Sequence, residues 1–283
     1  MEQAKGFERA KSAVVALNLN GKRNVLGVFV NVIDYQTTVE SVIHAARNKQ
    51  PYAVTALAVH GLMTGVLDAE QRYRLNSLNL VVPDGQPVRW ALNKLFNAGL
   101  YDRVYGPRLT LAVCERAEKD RLPVFFYGGT QEILSGLQRK LLERFPQLLI
   151  AGTQASKFRS LSAIEKTGLV NEIRESGAAI VFVGLGCPRQ EVWAYEYRER
   201  VNAPLLAVGA AFPFVAGTLR QAPAWMQERG LEWLYRLLIE PRRLWKRYLF
   251  LNPLFVFLLL LQRLKIARFE DPGRCPTKEL SCG

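Results

Sequence analysis

Short apolar runs alternate with longer amphipathic stretches along most of the chain. The short runs are bounded by turn residues, as strands are, and apolar positions in the longer stretches recur with the 3.6-residue period of a helix. This alternation predicts crossover units, and therefore an α/β fold with a mainly parallel sheet and flanking helices. The predicted strands are residues 26–33, 52–57, 78–82, 123–127, 148–151, 179–183 and 205–208, and the predicted helices are residues 59–75, 86–97, 109–119, 131–144, 162–175 and 189–200.

The pattern changes after about residue 225, where Trp, Leu, Arg and Lys become frequent. This composition is typical of a separate helical segment with a basic surface. The sequence predicts a flexible leader (1–24), an α/β domain (25–225), a basic amphipathic helical appendage that associates with a membrane (226–268) and a disordered tail (269–283).

A formal net charge of +13 over 283 residues indicates an anionic partner. Nucleic acid, anionic lipid and phosphorylated small molecules all meet that description. The four cysteines form no Cys-x-x-Cys pair, so neither a structural zinc site nor a disulfide framework is expected, and a reducing compartment fits best. Residues 1–22 mix charges and lack a long apolar core, so the segment does not resemble a secretory signal, and we expect a cytoplasmic protein.

A strongly apolar run occupies residues 249–261 and is interrupted by Asn252-Pro253. Its uninterrupted part, residues 254–261, is short compared with the roughly 20 residues that a membrane-spanning helix needs. Basic residues flank the run on both sides, which favours a helix lying in the interface of an anionic membrane surface. The alternative is a buried core helix whose cationic ends are solvated.

Asp84 lies in a Pro-Asp-Gly turn that directly follows a predicted strand. Such a turn raises a carboxylate above the sheet edge, where ligands of parallel sheets bind and where it can act as a general base. Asp-Gly is also a common turn pair, so an ordinary turn remains the alternative from these residues alone.

Glycine-rich turns follow two other predicted strands. Gly128 and Gly129 join a strand to a helix, and their backbone amides are suited to bind phosphate, although one Gly-Gly pair is a weak signal. A second turn contains Gly184 and Gly186 and leads into Pro188, after which Arg189 and Gln190 are expected to face the cleft. A tight structural turn is the alternative there.

Two further residues near a predicted strand end are candidates for a role. Thr55 offers a hydroxyl, although such a residue more often caps a helix. His60 lies on an apolar helix, where a histidine is usually structural. We interpret Cys187, in the second glycine turn, as a packing residue.

These features occur within an ordered series of motifs over about residues 25–262. Together they resemble the WecG/TagA/CpsF glycosyltransferases of bacterial surface polysaccharide synthesis. The motifs are PDG (83–85), RVYG (103–106), FYGG (126–129), GLGCPRQE (184–191), VGAAF (208–212), AG (216–217), QAP (221–223), GLEWLYR (230–236), EPRR (240–243) and RY (247–248).

The resemblance implies a Rossmann-like domain with a C-terminal helical appendage and an inverting, metal-independent reaction. It implies transfer of a hexose derivative (N-acetylmannosamine type, its uronic acid or a related sugar) from a UDP-sugar to a polyprenyl-diphosphate-linked sugar, at the cytoplasmic face of the plasma membrane. The product would enter exopolysaccharide, teichoic acid or antigen synthesis. No cofactor is implied, and no Asp-x-Asp metal pair occurs in the sequence.

The resemblance also implies roles for residues that match the motifs. Asp84 corresponds to the proposed general base, and Thr55 to a threonine of the same catalytic site. The glutamine of the motif at 184–191 corresponds to Gln190. Arginines thought to hold the lipid diphosphate correspond to Arg236 and Arg243, with Arg247 as a looser match.

Three positions depart from the family pattern. Leu57 stands where many members have Asn, Arg108 where relatives often have Asp, and Pro213 where they often have Asp. These replacements leave the identity of the donor sugar open.

The competing hypothesis is a basic nucleotide- or nucleic-acid-binding α/β protein without transfer activity. Against a nucleic-acid partner, the basic residues concentrate beside the apolar run instead of interleaving with aromatic residues on a sheet. A dinucleotide-dependent oxidoreductase is disfavoured because the G-x-G-x-x-G fingerprint is missing. The sequence leaves open whether the chain forms a homo-oligomer.

Overall fold

A parallel six-stranded sheet forms the centre of the protein in a computed structural model that describes residues 21–283. Its strands are β3 (Tyr52–Leu57), β4 (Leu80–Pro83), β5 (Val124–Gly128), β6 (Ile150–Gln154), β7 (Ile180–Gly184) and β8 (Pro204–Ala207), whereas β1 (Lys22–Val25) and β2 (Val28–Asn31) form a separate hairpin. The strand order in the sheet is β4-β3-β8-β7-β5-β6, and every pair of neighbours is parallel, which confirms the predicted α/β fold of Rossmann-like type.

Helices connect the parallel strands and cover both faces of the sheet. Along β5 the side chains of Phe125 and Tyr127 belong to one buried cluster, whereas Phe126 belongs to the other, as the twofold alternation of a strand requires. The helices of this part are α1 (Tyr35–Arg47), α2 (Val59–Leu67), α3 (Ala69–Asn76), α4 (Gln86–Phe96), α5 (Gly106–Lys119), α6 (Gln131–Arg144), α7 (Ala163–Glu175), α8 (Arg189–Val201) and α9 (Ala211–Ala216).

The structure corrects the predicted start of the folded chain. Residues 26–33 were expected to form one strand, but Leu26 and Gly27 have positive φ angles of 56° and 87° and form a two-residue turn between β1 and β2. The hairpin includes residues 22–24, which lie within the predicted flexible leader. The rest of that leader, residues 1–20, lies outside the described residues.

Several predicted elements have different bounds in the structure. The helix expected at 59–75 is divided at Asp68, whose extended backbone ends α2 and whose carboxylate accepts the N–H groups of Glu70 and Gln71 to cap α3. The strand expected at 148–151 lies at Ile150–Gln154.

The appendage begins with two short helices and continues as one long helical segment from Pro241 to Arg263. Asn252-Pro253 does not end this segment, because Pro253 lies in the first turn of the helix that follows the π-helical turn, a position where a helix tolerates proline. Its elements are α10 (Ala224–Glu228), α11 (Glu232–Ile239), α12 (Pro241–Lys246), the π-helix Arg247–Leu251 and α13 (Asn252–Arg263).

This segment is the one helix among the described residues that is long and apolar enough to cross a membrane by length and composition. The length argument from the sequence rests on the uninterrupted apolar run at 254–261, whereas the helical segment in the structure has 23 residues. Many of its apolar side chains are exposed, including Val256 and Phe257. Its far end is attached to the hairpin, because the Gln262 amide donates to the Asn24 carbonyl and accepts the N–H of Leu26.

The expectation of a disordered tail at 269–283 differs from the structure, which places this segment along the α/β domain. The Glu279 carboxylate pairs with Lys166 at 2.8 Å and Arg200 at 2.6 Å. The Glu196 carboxylate accepts the N–H groups of Leu280 and Ser281. The segment 269–283 is polar and has no hydrophobic core of its own, and charged side chains on the surface of the α/β domain hold it in place.

Candidate active site

A cleft of about 540 Å³ opens at the carboxyl ends of the parallel strands, where ligands bind in open α/β sheets. The loops after β3, β4, β5, β7 and β8 form its floor and walls, and the appendage forms its remaining side. The lining includes Ala58, His60, Asp84, Gln86, Arg103, Tyr105, Gly129, Gly186, Cys187, Gln190, Glu191, Gly209, Pro213, Phe214, Trp233, Arg236, Arg243, Tyr248 and Asn252.

Asp84 lies in the floor of this cleft, directly after β4, as the sequence predicted. Its backbone N–H donates to the Leu57 carbonyl at 3.2 Å, and its Oδ1 accepts the N–H of Gly106 at 2.8 Å, so the turn holds the carboxylate in place. Burial raises the pKa of Asp84 to about 6, although Arg103 and the Gly106 N–H act in the opposite direction. A carboxylate with this pKa is ionised at neutral pH and is a stronger base than an ordinary aspartate.

Glu232 of α11 joins the appendage to the loop beside Asp84. Its Oε2 pairs with Arg103 Nη2 at 2.7 Å, and its Oε1 accepts a hydrogen bond from the Tyr105 hydroxyl at 3.0 Å. Burial, followed by the charge of Glu232, raises the pKa of Tyr105, so this hydroxyl stays protonated and acts as a donor. The Arg103 guanidinium also lies 4.2 Å from the centre of the Tyr105 ring.

Thr55 lies beneath the cleft instead of lining it. Its hydroxyl is buried and donates to Glu191 Oε1 at 3.0 Å, and Gln190 Nε2 donates to the same oxygen at 2.8 Å. Burial raises the pKa of Glu191, although these hydrogen bonds act in the opposite direction. Thr55 therefore supports the site through Glu191 and does not face the cleft.

The side-chain amide of Gln190 has a defined orientation. Because Nε2 is used by Glu191, the carbonyl oxygen Oε1 is left buried without a hydrogen-bond partner among the described groups. That oxygen lies against Gly209, where a Cβ would come within 2.7 Å of it. Gln190 thus lines the cleft and has a buried acceptor oxygen that is not used among the described groups.

The four predicted phosphate-binding glycines fall into two groups. A Cβ at Gly128 would lie 2.6 Å from the Gly184 carbonyl carbon, and a Cβ at Gly184 would lie 2.4 Å from the Phe212 ring, so close packing requires both glycines. Gly129 and Gly186 line the cleft with φ angles of 70° and 78° and leave it open to a ligand. Gly184 also borders the cleft, whereas Gly128 does not.

Arg189 does not line the cleft, contrary to the sequence prediction. Its guanidinium donates to the carbonyl oxygen of Gly283 and lies over the ring of Phe158. The tail therefore holds this side chain, and the sequence did not reveal the contact because the tail was expected to be disordered.

Two of the three predicted appendage arginines reach the cleft. Arg236 lies 5.6 Å from the centre of the Phe214 ring, and Arg243 forms an ion pair with Glu240 at 2.5 Å. The side chain of Arg247 lies outside the described part of the structure. The appendage thus adds two cations to a cleft whose floor contains a carboxylate.

The three departures from the family pattern lie in different environments. Leu57 and Pro213 border the cleft. Arg108 is exposed outside it, where it pairs with Asp102 at 3.5 Å and lies 4.7 Å from the centre of the Tyr35 ring. Among residues 21–283 no group of three or more His, Cys, Asp or Glu residues could hold a metal ion, and metal independence stays a prediction.

Sequence reasoning did not assign roles to Glu191, Glu232 or Tyr105. All three lie within motifs that it had singled out, and Glu191 directly follows Gln190. The sequence feature that could have identified them is a carboxylate or phenol side chain within a motif that is otherwise glycine-rich or apolar. Their partners, however, lie more than a hundred positions away in the chain.

The fold and the cleft together define a Rossmann-like α/β protein with its candidate ligand site at the carboxyl edge of the sheet. The model of the glycosyl transferase WecG/TagA/CpsF family matches residues 23–268, most of the chain. The chain therefore belongs to this glycosyltransferase family, which confirms the resemblance seen in its motifs.

The chain is also similar to a curated relative. It is 29% identical over 207 residues to the N-acetylglucosaminyldiphosphoundecaprenol N-acetyl-beta-D-mannosaminyltransferase of Bacillus subtilis (strain 168). The match covers 73% of this chain and 78% of the relative.

Proposed function

We propose that this protein is an inverting, metal-independent glycosyltransferase that uses a UDP-sugar and a polyprenyl-diphosphate-linked sugar. Family membership supports transfer of a glycosyl group. The printed name of the Bacillus relative, an N-acetylmannosaminyltransferase acting on N-acetylglucosaminyldiphosphoundecaprenol, supports an N-acetylmannosamine-type donor sugar and a lipid-linked acceptor. The observation that carries the proposal is the base-like carboxylate of Asp84 in a cleft that also contains two appendage arginines.

In the proposed reaction, Asp84 accepts the proton of the acceptor hydroxyl. The acceptor oxygen forms a bond to the anomeric carbon of the donor while the bond from that carbon to the UDP oxygen breaks, so the configuration inverts. The leaving UDP gains negative charge, and backbone N–H groups of the loops at Gly129 and Gly186 are suited to stabilise it. Gln190 Oε1 would accept a hydrogen bond from the donor substrate.

The appendage would bind the acceptor. Arg236 and Arg243 are placed to pair with the lipid diphosphate, since guanidinium groups match phosphate oxygens in charge and geometry. The exposed apolar side chains of α13 would lie in the interface of the cytoplasmic face of the plasma membrane, with flanking cations near anionic headgroups. The protein would then be peripheral to that membrane.

The test is a screen of UDP-sugars with N-acetylglucosamine on a polyprenyl diphosphate, in the absence of added metal and in the presence of a chelator. We expect the wild type to transfer an N-acetylmannosamine-type sugar, and Asp84→Asn to lose at least about a hundredfold in kcat. Asp34→Asn is the matched control, because Asp34 is an exposed N-cap of α1 and asparagine also caps helices.

Equal turnover by the wild type and Asp84→Asn would remove Asp84 as the base. Tight binding of UDP-sugars by the wild type without any transfer would favour a nucleotide-binding protein instead.

A further inference from the structure

Glu232 is the polar link between the appendage and the loop that leads to Gly106. Both of its carboxylate oxygens are used, one by Arg103 and the other by Tyr105. The side chains of Arg103 and Glu232 are only 9% and 14% exposed, so this pair is shielded from solvent. A shielded, charge-assisted contact with two partners fixes the position of both.

The position of Arg103 matters because Asp84 lies in the same cleft. Arg103 is the cation with the largest effect on Asp84, yet it pairs with Glu232, and no ion pair of Asp84 is found among the described side chains. Arg103 Nη2 also donates to Gln227 Oε1 at 3.4 Å, a second contact with the appendage. Two appendage residues therefore fix the guanidinium at a position near Asp84 where it forms no ion pair with that carboxylate.

We propose that Glu232 is a positioning residue for the base, which holds Arg103 and Tyr105 so that Arg103 lies near Asp84 without forming an ion pair with it. The proposal rests on the proposed role of Asp84 in sugar transfer. With Glu232 in place, its own charge and the position that it gives to Arg103 leave the carboxylate of Asp84 with a high affinity for protons. Without the charge of Glu232, Arg103 is released and stabilises the ionised carboxylate more strongly, which weakens the base.

Several other groups contribute to the electrostatic environment of Asp84 and are unchanged in the test below. Arg236 of α11 acts in the same direction as Arg103, and the tyrosines beside the turn interact with Asp84 through their charge when ionised. Apart from Arg103 and Glu232, the titratable and charged residues that line the cleft with Asp84 or act on it are Tyr35, His60, Tyr105, Cys187, Glu191, Arg236, Arg243 and Tyr248.

The experiment compares the full-length wild type with Glu232→Gln, which keeps the shape of the side chain and removes its charge. The titration of Asp84 is followed by carbon-13 NMR of labelled aspartate, with its signal assigned by comparison with Asp84→Asn. We expect the pKa of Asp84 to fall by about one unit in Glu232→Gln, because the charge of Glu232 no longer raises it and Arg103 becomes available to the carboxylate. In sugar transfer, the acidic limb of the kcat profile should shift by the same amount, and kcat at neutral pH should fall about tenfold with little change in KM for the donor.

Two further variants separate this role from a purely structural one. Glu232→Asp keeps the charge and should restore the wild-type titration at least in part. Glu228→Gln makes the same chemical change at an exposed position of α10 outside the cleft, and it should leave both the titration and kcat unchanged.

An unchanged pKa of Asp84 in a folded Glu232→Gln protein would overturn the proposal, even if kcat fell. Because the NMR titration needs no substrate, it reports on Glu232 even if the wild type transfers no sugar. That second result would overturn the proposed function alone.

Discussion

The buried hydroxyl of Thr55 donates a 3.0 Å hydrogen bond to Glu191, a residue 136 positions further along the chain. The contact joins the end of β3 to the first turn of α8. It also holds the carboxylate that accepts a hydrogen bond from Gln190, so a residue without access to the cleft supports the orientation of a side chain that lines it.

Replacing Thr55 with valine should affect stability more than catalysis. The substitution removes a hydroxyl from a buried carboxylate, so we expect the free energy of unfolding to fall by about 1–3 kcal/mol. Because Gln190 still bonds to Glu191, kcat should fall less than about tenfold, far less than in Asp84→Asn. Denaturant unfolding and steady-state kinetics measure the two effects.

Thr167→Val is the matched control for this substitution, since Thr167 is exposed on α7 and bonds only within its own helix. We expect a change within about 0.5 kcal/mol there. A Thr55→Val protein with full stability and a hundredfold lower kcat would instead make Thr55 a direct participant in catalysis.

The raised pKa of Asp84 has a consequence for stability. In the folded state the carboxyl group of Asp84 keeps its proton up to about pH 6, whereas in the unfolded chain it loses the proton near pH 3.8. The folded state therefore binds more protons between these two pH values. The free energy of unfolding therefore falls as pH rises through this window. A shift of this size corresponds to about 3 kcal/mol at full burial, and partial exposure reduces the expected effect to about 1–2 kcal/mol.

Asp84→Asn should consequently be more stable than the wild type above pH 6 and similar to it below pH 4. Thermal unfolding at a series of pH values measures this difference. A variant that was less stable at every pH would show that the carboxylate contributes more through its bond to Gly106 than it costs through burial.

Arg243 and its neighbour Arg242 offer a direct test of acceptor binding. Arg243 lines the cleft, whereas Arg242 is exposed outside it in the same helical turn. We expect Arg243→Ala to raise KM for the lipid-diphosphate acceptor by about tenfold or more, since a charge-assisted contact is lost. The KM for the UDP-sugar should change less.

Arg242→Ala should leave both constants within about twofold, because exposed cations contribute little at a specific site. If the two variants raised KM equally, general charge attraction would explain the role of the appendage better than a defined contact.

The exposed apolar face of α13 should bind to lipid. Phe257 is 56% exposed, and replacing it with aspartate removes an apolar group from the membrane interface and adds repulsion from anionic lipid. We expect binding to anionic vesicles to fall at least about tenfold, measured by sedimentation. Binding of the wild type should also weaken with added salt.

Tyr101→Asp is the control for this experiment, because Tyr101 is an exposed aromatic residue of the α/β domain. Equal vesicle binding by Phe257→Asp and the wild type would contradict the placement of α13 in the interface.

The parts of the fold that were predictable are those specified by local sequence. Strands such as Pro204–Ala207 are fully buried, so their apolar runs stand out against the helices around them. Asp84 was predictable for a related reason, since its turn directly follows such a run. Gln190 could be placed in the cleft because the glycine turn before it starts a helix.

Contacts between distant segments were not predictable. Nothing in the local sequence of the tail indicates that Gly283 meets Arg189, and a polar composition without an apolar run suggested disorder. The division of the predicted helix at Asp68 was not predicted, although the residue that caps α3 is visible in the sequence. The pairing of Glu232 with Arg103 depends on how the appendage folds back over the sheet.

One helical segment connects two different surroundings. Arg243 near its start faces the cleft, and Phe257, about 20 Å further along it, is exposed among apolar side chains. On the proposed function, the enzyme would sit at a set height above the bilayer while its acceptor stays anchored there. Encounter with the acceptor would then be a search by lateral diffusion in a plane, and the turnover rate would depend on the surface density of lipid carrier instead of its bulk concentration.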